Sequence, residues 1–166
     1  LCPVGFDQFI DSPSRGASGG ILTVWRYDVF KGVLIEVKPF GIVTSFTSVH
    51  NNEQCFLVNV YGPCQGDPRN NFIAWLFSLD IPTNEDWLLC GDFNFIRGPD
   101  NRNKPGGHFG DMITFNDFIR SQALIQLPAS REELTHGATC NKILFLNNSI
   151  GSSQAQTGLH LTLKPW

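Results

Sequence analysis

A layered α/β (α+β) domain is the fold class that the sequence predicts, and three observations predict it. Several short runs rich in β-branched and aromatic residues stop at turn signals. Two segments with apolar residues at helical spacing lie among and after those runs. The composition is that of a single globular domain with enough apolar mass for a core: 42% hydrophobic, 16% charged, with 16 Gly and 10 Pro in 166 residues. Strands with interspersed helices bury their faces by stacking in layers.

In chain order, Ile21-Leu22-Thr23-Val24-Trp25 follows the Gly19-Gly20 turn, and Val33-Leu34-Ile35-Glu36-Val37-Lys38 ends before Pro39; both read as strands. Residues 42–49 and Cys55-Phe56-Leu57-Val58-Asn59-Val60-Tyr61 flank the polar break His50-Asn51-Asn52-Glu53, which gives a hairpin, and Gly62-Pro63 stops its second strand. Asp67 is placed to cap a helix that has Pro68 in its first turn. Phe72, Trp75, Leu76 and Leu79 recur on one stripe of that helix, which must bury itself on a sheet. Trp87-Leu88-Leu89-Cys90-Gly91 is a continuous apolar run, the pattern of a strand covered on both faces. A second helix is predicted from Asp111 through Ala123, with Met112, Phe115, Phe118 and Ile119 on one face.

Charge and cysteine usage exclude several classes. A net charge of −3 rules out binding nucleic acid by bulk charge, so any such contact has to come from a local basic patch. No apolar stretch approaches the roughly 18 residues that cross a bilayer. Leu1-Cys2-Pro3-Val4-Gly5 lacks the regions of a signal peptide, and the expectation is an intracellular chain without a membrane partner. Five cysteines without a Cys-x-x-Cys pair read as reduced thiols. His136 and Cys140 are four apart, yet a structural zinc needs four ligands, so no structural metal is expected.

Composition changes along the chain. Residues 1–126 hold every aspartate and all the aromatic residues except Phe145 and Trp166. Residues 127–166 are rich in Ser, Thr, Asn and Gln and have neither a strong core pattern nor strong charge. Two segments of different character are therefore expected, divided after Gln126.

Chemistry can sit at Asp92 and Asn94, just past the buried run. In extended backbone, positions i and i+2 face the same way, so the carboxylate and the amide converge while Phe93 turns back to the core. Ligands of α/β sheets gather at the carboxyl ends of such strands. A carboxylate there holds a metal or takes a proton from water, and the amide orients water or a phosphate oxygen. An Asx-turn that merely ends the strand is the alternative. Tyr61 offers a second candidate, because Leu57, Asn59 and Tyr61 share the face opposite Phe56, Val58 and Val60. Its hydroxyl can bond a phosphate or rest at the rim of a core tyrosine. Arg97, Arg102 and Lys104 follow the Asp92 turn closely and could contact a nucleic-acid backbone, or form a solvated loop. The glycine-rich segment from Ser14 to Gly20 lacks the Lys-Ser/Thr ending of a P-loop and reads as a connection. His108 receives no role.

Together these pieces resemble the endonuclease/exonuclease/phosphatase domain, most closely that of plant LINE-type (non-LTR) retrotransposons. The resemblance is carried in order by Gly19-Gly20-Ile21-Leu22, Asn59-Val60-Tyr61-Gly62-Pro63, Trp87-Leu88-Leu89-Cys90-Gly91-Asp92-Phe93-Asn94, and Asp100-Asn101-Arg102-Asn103-Lys104-Pro105-Gly106-Gly107. It covers residues 1–126 and implies a four-layer sandwich of two β-sheets flanked by helices. It also implies Mg²⁺-dependent attack of water on a DNA phosphodiester. The roles that follow are Asp92 as water activator and metal ligand, Asn94 as orienter of water and phosphate, and Tyr61 as a contact to the scissile phosphate. A nuclear location follows if the chain behaves as the parent element's protein does.

Two family elements have no counterpart, and the fold is expected to be incomplete at both ends. The metal-binding glutamate of an upstream Gln-Glu-Thr-Lys-like segment is one. The other is a Ser-Asp-His segment, since neither His136 nor His160 follows Ser-Asp. Where the family reads Tyr-Thr-Trp-Ser-Asn, Leu134-Thr135-His136-Gly137-Ala138-Thr139 stands, and its codons admit that motif in the adjacent frame. Asn148-Ser149-Ile150-Gly151 admits Leu-Asp-Trp in the same frame. Residues 127–166 are therefore expected to be a frameshifted tail, with the last strands of the second sheet missing. The expectation is a retroelement-derived nuclease fragment without efficient catalysis. The alternatives are a non-enzymatic module that binds nucleic acid weakly and a non-functional translation of a degenerate element.

Overall fold

A computed structural model describes residues 4–14, 19–80, 85–99, 108–127 and 142–147, the last of these by backbone alone. The elements in order are β1 (Gln8–Ser12), β2 (Ile21–Trp25), β3 (Phe30–Lys38), β4 (Gly41–Ser48), β5 (Gln54–Tyr61), α1 (Pro68–Phe77), β6 (Asp86–Asp92), α2 (Phe109–Ser121), β7 (Leu124–Gln126) and β8 (Lys142–Asn147). They build a two-stranded sheet, β1-β2, and a six-stranded sheet in the order β3-β4-β5-β6-β8-β7. No helix among the described residues is long and apolar enough to cross a membrane.

The expected hairpin is β4-β5, antiparallel with Gly41 opposite Val60 and Thr47 opposite Gln54. Its turn closes through Ser48 N–H to Glu53 O at 2.9 Å, with Asn52 at a φ of 60°. β5 and β6 run parallel, joined over the sheet by α1. A parallel pair needs such a crossover, because a tight turn cannot reverse the chain twice.

Strand alternation sorts side chains onto two cores. Val58 and Val60 of β5 and Trp87 and Leu89 of β6 face the helices, packing with Phe72 and Leu76 of α1 and Phe115, Phe118 and Ile119 of α2. Leu57, Leu88 and Cys90 point the other way, onto Trp25 of β2 and Phe46 of β4. The six-stranded sheet is thus covered by helices on one face and by the small sheet on the other. The described residues supply both sheets and one flanking helical layer of the expected sandwich. Asn59, 3% exposed, ties the sheets together by donating from Nδ2 to Leu22 O and to Thr23 Oγ1, each at 3.1 Å.

Several local expectations need correction. Asp67 has helical backbone and makes no side-chain capping bond, so Pro68 alone marks the start of α1. The second helix begins at Phe109, one half-turn before Asp111, whose carboxylate accepts from Arg69 instead of capping. It ends at Ser121, because Ala123 turns left-handed at a φ of 49° to enter β7. Both predicted stripes are correct: Phe72 and Leu76 are buried with Trp75 and Leu79 packed beside them, and Met112, Phe115, Phe118 and Ile119 are all buried. β8 comes from the segment expected to lack a core pattern, yet its Ile143-Leu144-Phe145-Leu146 run pairs antiparallel with β6.

Candidate functional site

The carboxyl ends of β5 and β6 meet because the two strands are parallel and in register. Tyr61 stands opposite Asp92, the last residue of each strand. Both continue the face that carries Leu57 and Asn59 in β5 and Leu88 and Cys90 in β6, so they lie on the side of the two-stranded sheet. The segment before β2 also reaches this point. A Cβ on Gly19 would sit 3.6 Å from the Tyr61 hydroxyl, ordinary van der Waals contact.

Two glycines allow the strand ends to approach so closely. Gly91 has a φ of 133°, and a Cβ there would lie 2.0 Å from Val60 O. A Cβ on Gly62 would lie 2.3 Å from Phe93 O. In their absence of side chains, Gly62 N–H donates to Asp92 O at 2.7 Å and joins the two strand ends directly.

Asp92 and Asn94 are joined by a geometry different from the extended one expected. β6 stops at Asp92, and Asn94 adopts a left-handed φ of 51°. Its N–H donates to Asp92 Oδ1 at 3.0 Å, which is an Asx-turn, and its Nδ2 donates to Gly62 O at 2.7 Å. Asn tolerates this backbone because its short polar side chain bonds locally. Phe93 does turn back to the core, where it is fully buried, and Phe95 follows it. The Asx-turn is therefore present, Tyr61 stands opposite Asp92, and Asn94 is tied to the end of β5 through Gly62.

The basic residues divide. Arg97 is held to α2: its Nε donates to Asn116 Oδ1 at 3.0 Å and its Nη1 to Gln126 Oε1 at 2.7 Å, while Asn116 Nδ2 returns a bond to Arg97 O at 2.8 Å. Arg102 and Lys104 lie outside the described residues, as do His136 and Cys140. Arg69, which the sequence reading passed over, reaches the turns that follow both strand ends. Its Nη1 donates to Asn94 O at 2.8 Å, Cys64 O at 3.1 Å and Pro63 O at 3.2 Å. Its only sequence signal is a place just after Asp67-Pro68, off the apolar stripe of α1, and nothing in the periodicity shows that it reaches back over the sheet.

Three free thiols among the described residues differ in exposure: Cys64 is exposed in the turn after β5, Cys55 is partly buried and Cys90 is buried. Desolvation in the inter-sheet core pushes the Cys90 thiol well above its ordinary range. Among the described residues no three His, Cys, Asp or Glu side chains gather as a metal site.

No protein-family model matches the chain, and no curated protein matches its sequence. Solved structures do. A mannosyl-6-phosphatase of Bacteroides thetaiotaomicron aligns at 14% identity with a TM-score of 0.54, over 88% of this chain and 64% of that one. An endonuclease/exonuclease/phosphatase family protein of the same organism aligns at 13% identity and a TM-score of 0.52, over 87% and 62%. The human Nocturnin catalytic domain, solved with a bound sulfate anion, aligns at 13% identity and 0.51, also over 87% and 62%. The chain spans less than two thirds of the length of each. Two packed sheets with an outer helical layer define a layered α/β domain. Its fold is that of the endonuclease/exonuclease/phosphatase proteins.

Proposed function

We propose that this chain is a phosphodiester-recognising domain derived from a DNA endonuclease of plant LINE-type retrotransposons, with hydrolysis close to background. The observation that carries the reading is the register pair Tyr61 and Asp92 at the carboxyl ends of two parallel strands, with Asn94 tied across both through Gly62. The fold shared with a phosphatase and with a domain that holds sulfate supports a tetrahedral oxyanion as the ligand class. The motif from Asp100 to Gly107 supports DNA rather than a small phosphoester, by resemblance.

In this reading the Tyr61 hydroxyl donates to a phosphate oxygen. Asn94 keeps its Oδ1 and a second Nδ2 proton for a water or a phosphate oxygen, and Asp92 accepts the proton of an attacking water. Magnesium is the cofactor the lineage implies. Phosphotransfer sites hold it with one or two carboxylates, water and the phosphate itself, and would draw neutralisation of developing charge from it. Asp92 supplies one such carboxylate, and no cluster of three His, Cys, Asp or Glu exists among the described residues, so a magnesium ion there would be held by Asp92, water and the phosphate rather than by a protein cage. The low rate is proposed for a site whose acid-base group is drawn from His136 or His160, since neither follows Ser-Asp and lack of such a group costs about 10²–10⁴ in rate. The same lineage accounts for the compositional break after Gln126 as a change of reading frame, which the coding DNA checks through Tyr-Thr-Trp-Ser-Asn in the adjacent frame.

The test uses the full chain with fluorescein-labelled duplex DNA and with supercoiled plasmid plus Mg²⁺. Salt-sensitive binding that weakens in Tyr61→Phe, with nicking near background, is the expected result. Absence of binding at low salt, or turnover of a sugar phosphate in its place, overturns the DNA reading. Plasmid nicking that Asp92→Ala abolishes overturns the low rate.

A further inference from the structure

We infer that Arg69 is the positioning residue of this site, a clamp that fixes the two turns following β5 and β6 against each other and holds Asn94 in its left-handed backbone. Its relevance to ligand rests on the phosphodiester reading above, whereas the clamp itself rests on geometry. The three carbonyls that Nη1 reaches belong to both turns: Pro63 and Cys64 follow Tyr61, and Asn94 follows Asp92. The guanidinium is aimed from two further sides. Nε at 3.2 Å and Nη2 at 2.8 Å both donate to Asp111 Oδ2 of α2, and Cζ lies 4.0 Å from the centroid of the Phe95 ring. The side chain is only 18% exposed.

This arrangement completes the restraint of Asn94. Its N–H is bonded to Asp92, its Nδ2 to Gly62 O and its C=O to Arg69. With every one of those groups engaged, the remaining freedom of the Asn94 side chain is small. A planar guanidinium has five donors in a fixed fork and can serve a carboxylate and carbonyls at once. A lysine ammonium at this position keeps the charge and loses the fork, so Arg69→Lys separates geometry from electrostatics.

The experiment is ¹⁵N NMR of the side-chain amides in the full chain, alongside binding of labelled duplex DNA, for the native sequence, Arg69→Lys, Arg69→Met and Asp111→Asn. The Asn94 amide, bonded to Gly62 O, reports the clamp. The Asn59 amide, bonded to Leu22 O and Thr23 Oγ1 in the inter-sheet core, serves as the internal control. In Arg69→Lys the Asn94 signals are expected to move toward those of a solvated amide and to exchange about tenfold faster while Asn59 stays unchanged, and DNA binding is expected to weaken about tenfold, as for loss of a hydrogen bond to a charged group. Asp111→Asn is expected to shift the Asn94 signals in the same direction by less. Unchanged Asn94 signals in Arg69→Lys overturn the clamp. Parallel loss of Asn94 and Asn59 protection also overturns it, because it reports general destabilisation. If Arg69→Met does not fold, Arg69→Lys and Asp111→Asn decide. Responsive Asn94 signals in a protein that binds no DNA sink the functional reading and leave the clamp standing. Responsive signals with unaltered DNA binding remove its role in recognition.

Discussion

Gly91 is the residue at which the site is most sensitive to a single atom. Its φ of 133° disfavours any L side chain, and the added carbon would enter the Val60 carbonyl at 2.0 Å. Gly91→Ala is expected to destabilise the fold by about 2–4 kcal/mol, combining backbone strain with a forced shift of β5, and urea denaturation measures it. Asn94→Gly keeps the left-handed backbone available and removes only the Nδ2 bond, so its stability loss is expected to be the smaller of the two. The cysteines report burial separately. Desolvation, assisted by the neighbouring charge of Asp86, pushes the Cys55 thiol from 9.0 up to about 11, and Cys90 is raised by full burial. A raised folded-state value means that the unfolded chain loses its proton first, so the Cys55 contribution is intact below pH 9 and is lost as pH rises toward about 11. Thermal denaturation between those limits is expected to show a falling midpoint whose slope lessens in Cys55→Ser, the remaining fall being that of Cys90. At pH 8, iodoacetamide followed by peptide mapping is expected to label the exposed Cys64 well before Cys55, with Cys90 last.

At the scale of elements, what could be read in the sequence depended on how much each segment buried. The stripes of α1 and α2 and the doubly covered β6 were legible because Phe72, Leu76, Phe115 and Leu89 are buried at the period of their structure. β1 was not, because its exposed residues leave no alternation to detect. β7 is three residues long, below the length at which any pattern exists. β8 was missed for a different reason. Its four apolar residues, Ile143 to Leu146, lie inside a polar stretch whose average composition hid them. The place of Asp92 and Asn94 just past β6 was legible from position alone, whereas the left-handed turn that joins them depends on Gly62, thirty-two residues away in sequence. Arg69 was illegible because its partners lie in two turns and a helix that only the folded chain brings together. β8 also carries a prediction. It pairs with β6 from Leu88 to Asp92 and is the only described partner of β7. A chain ended after Leu127 is expected to lose cooperative unfolding or to aggregate, since the β6 edge becomes open. Circular dichroism melts and light scattering against the full chain check this.

For the whole molecule, the contact between the sheets depends on few polar groups. Among the described residues, Asn59 is the one buried amide that spans them, donating to a backbone carbonyl and a hydroxyl of β2. Asn59→Leu leaves Leu22 O and Thr23 without that donor, and an expected loss of about 2–3 kcal/mol should be accompanied by faster proteolysis near Pro13 and Gly20 as the small sheet loosens. Urea titration and timed digestion give the two readouts. If the small sheet loosens first, Gly19 leaves the Tyr61 ring, so recognition is expected to fail at denaturant concentrations below the global midpoint. The order of strands in the large sheet has a further consequence, one that belongs to the ribosome rather than to the finished protein. β6 is synthesised with its partner β5 already present, but the strand that covers its other edge does not emerge until residues 142–147. For that interval of translation the nascent chain presents an apolar strand edge to solvent, and the hydrogen-bonding groups beside Asp92 are open to any passing extended segment. Yield of soluble protein should therefore respond to chaperone supply and to the speed of elongation across the stretch between β6 and β8.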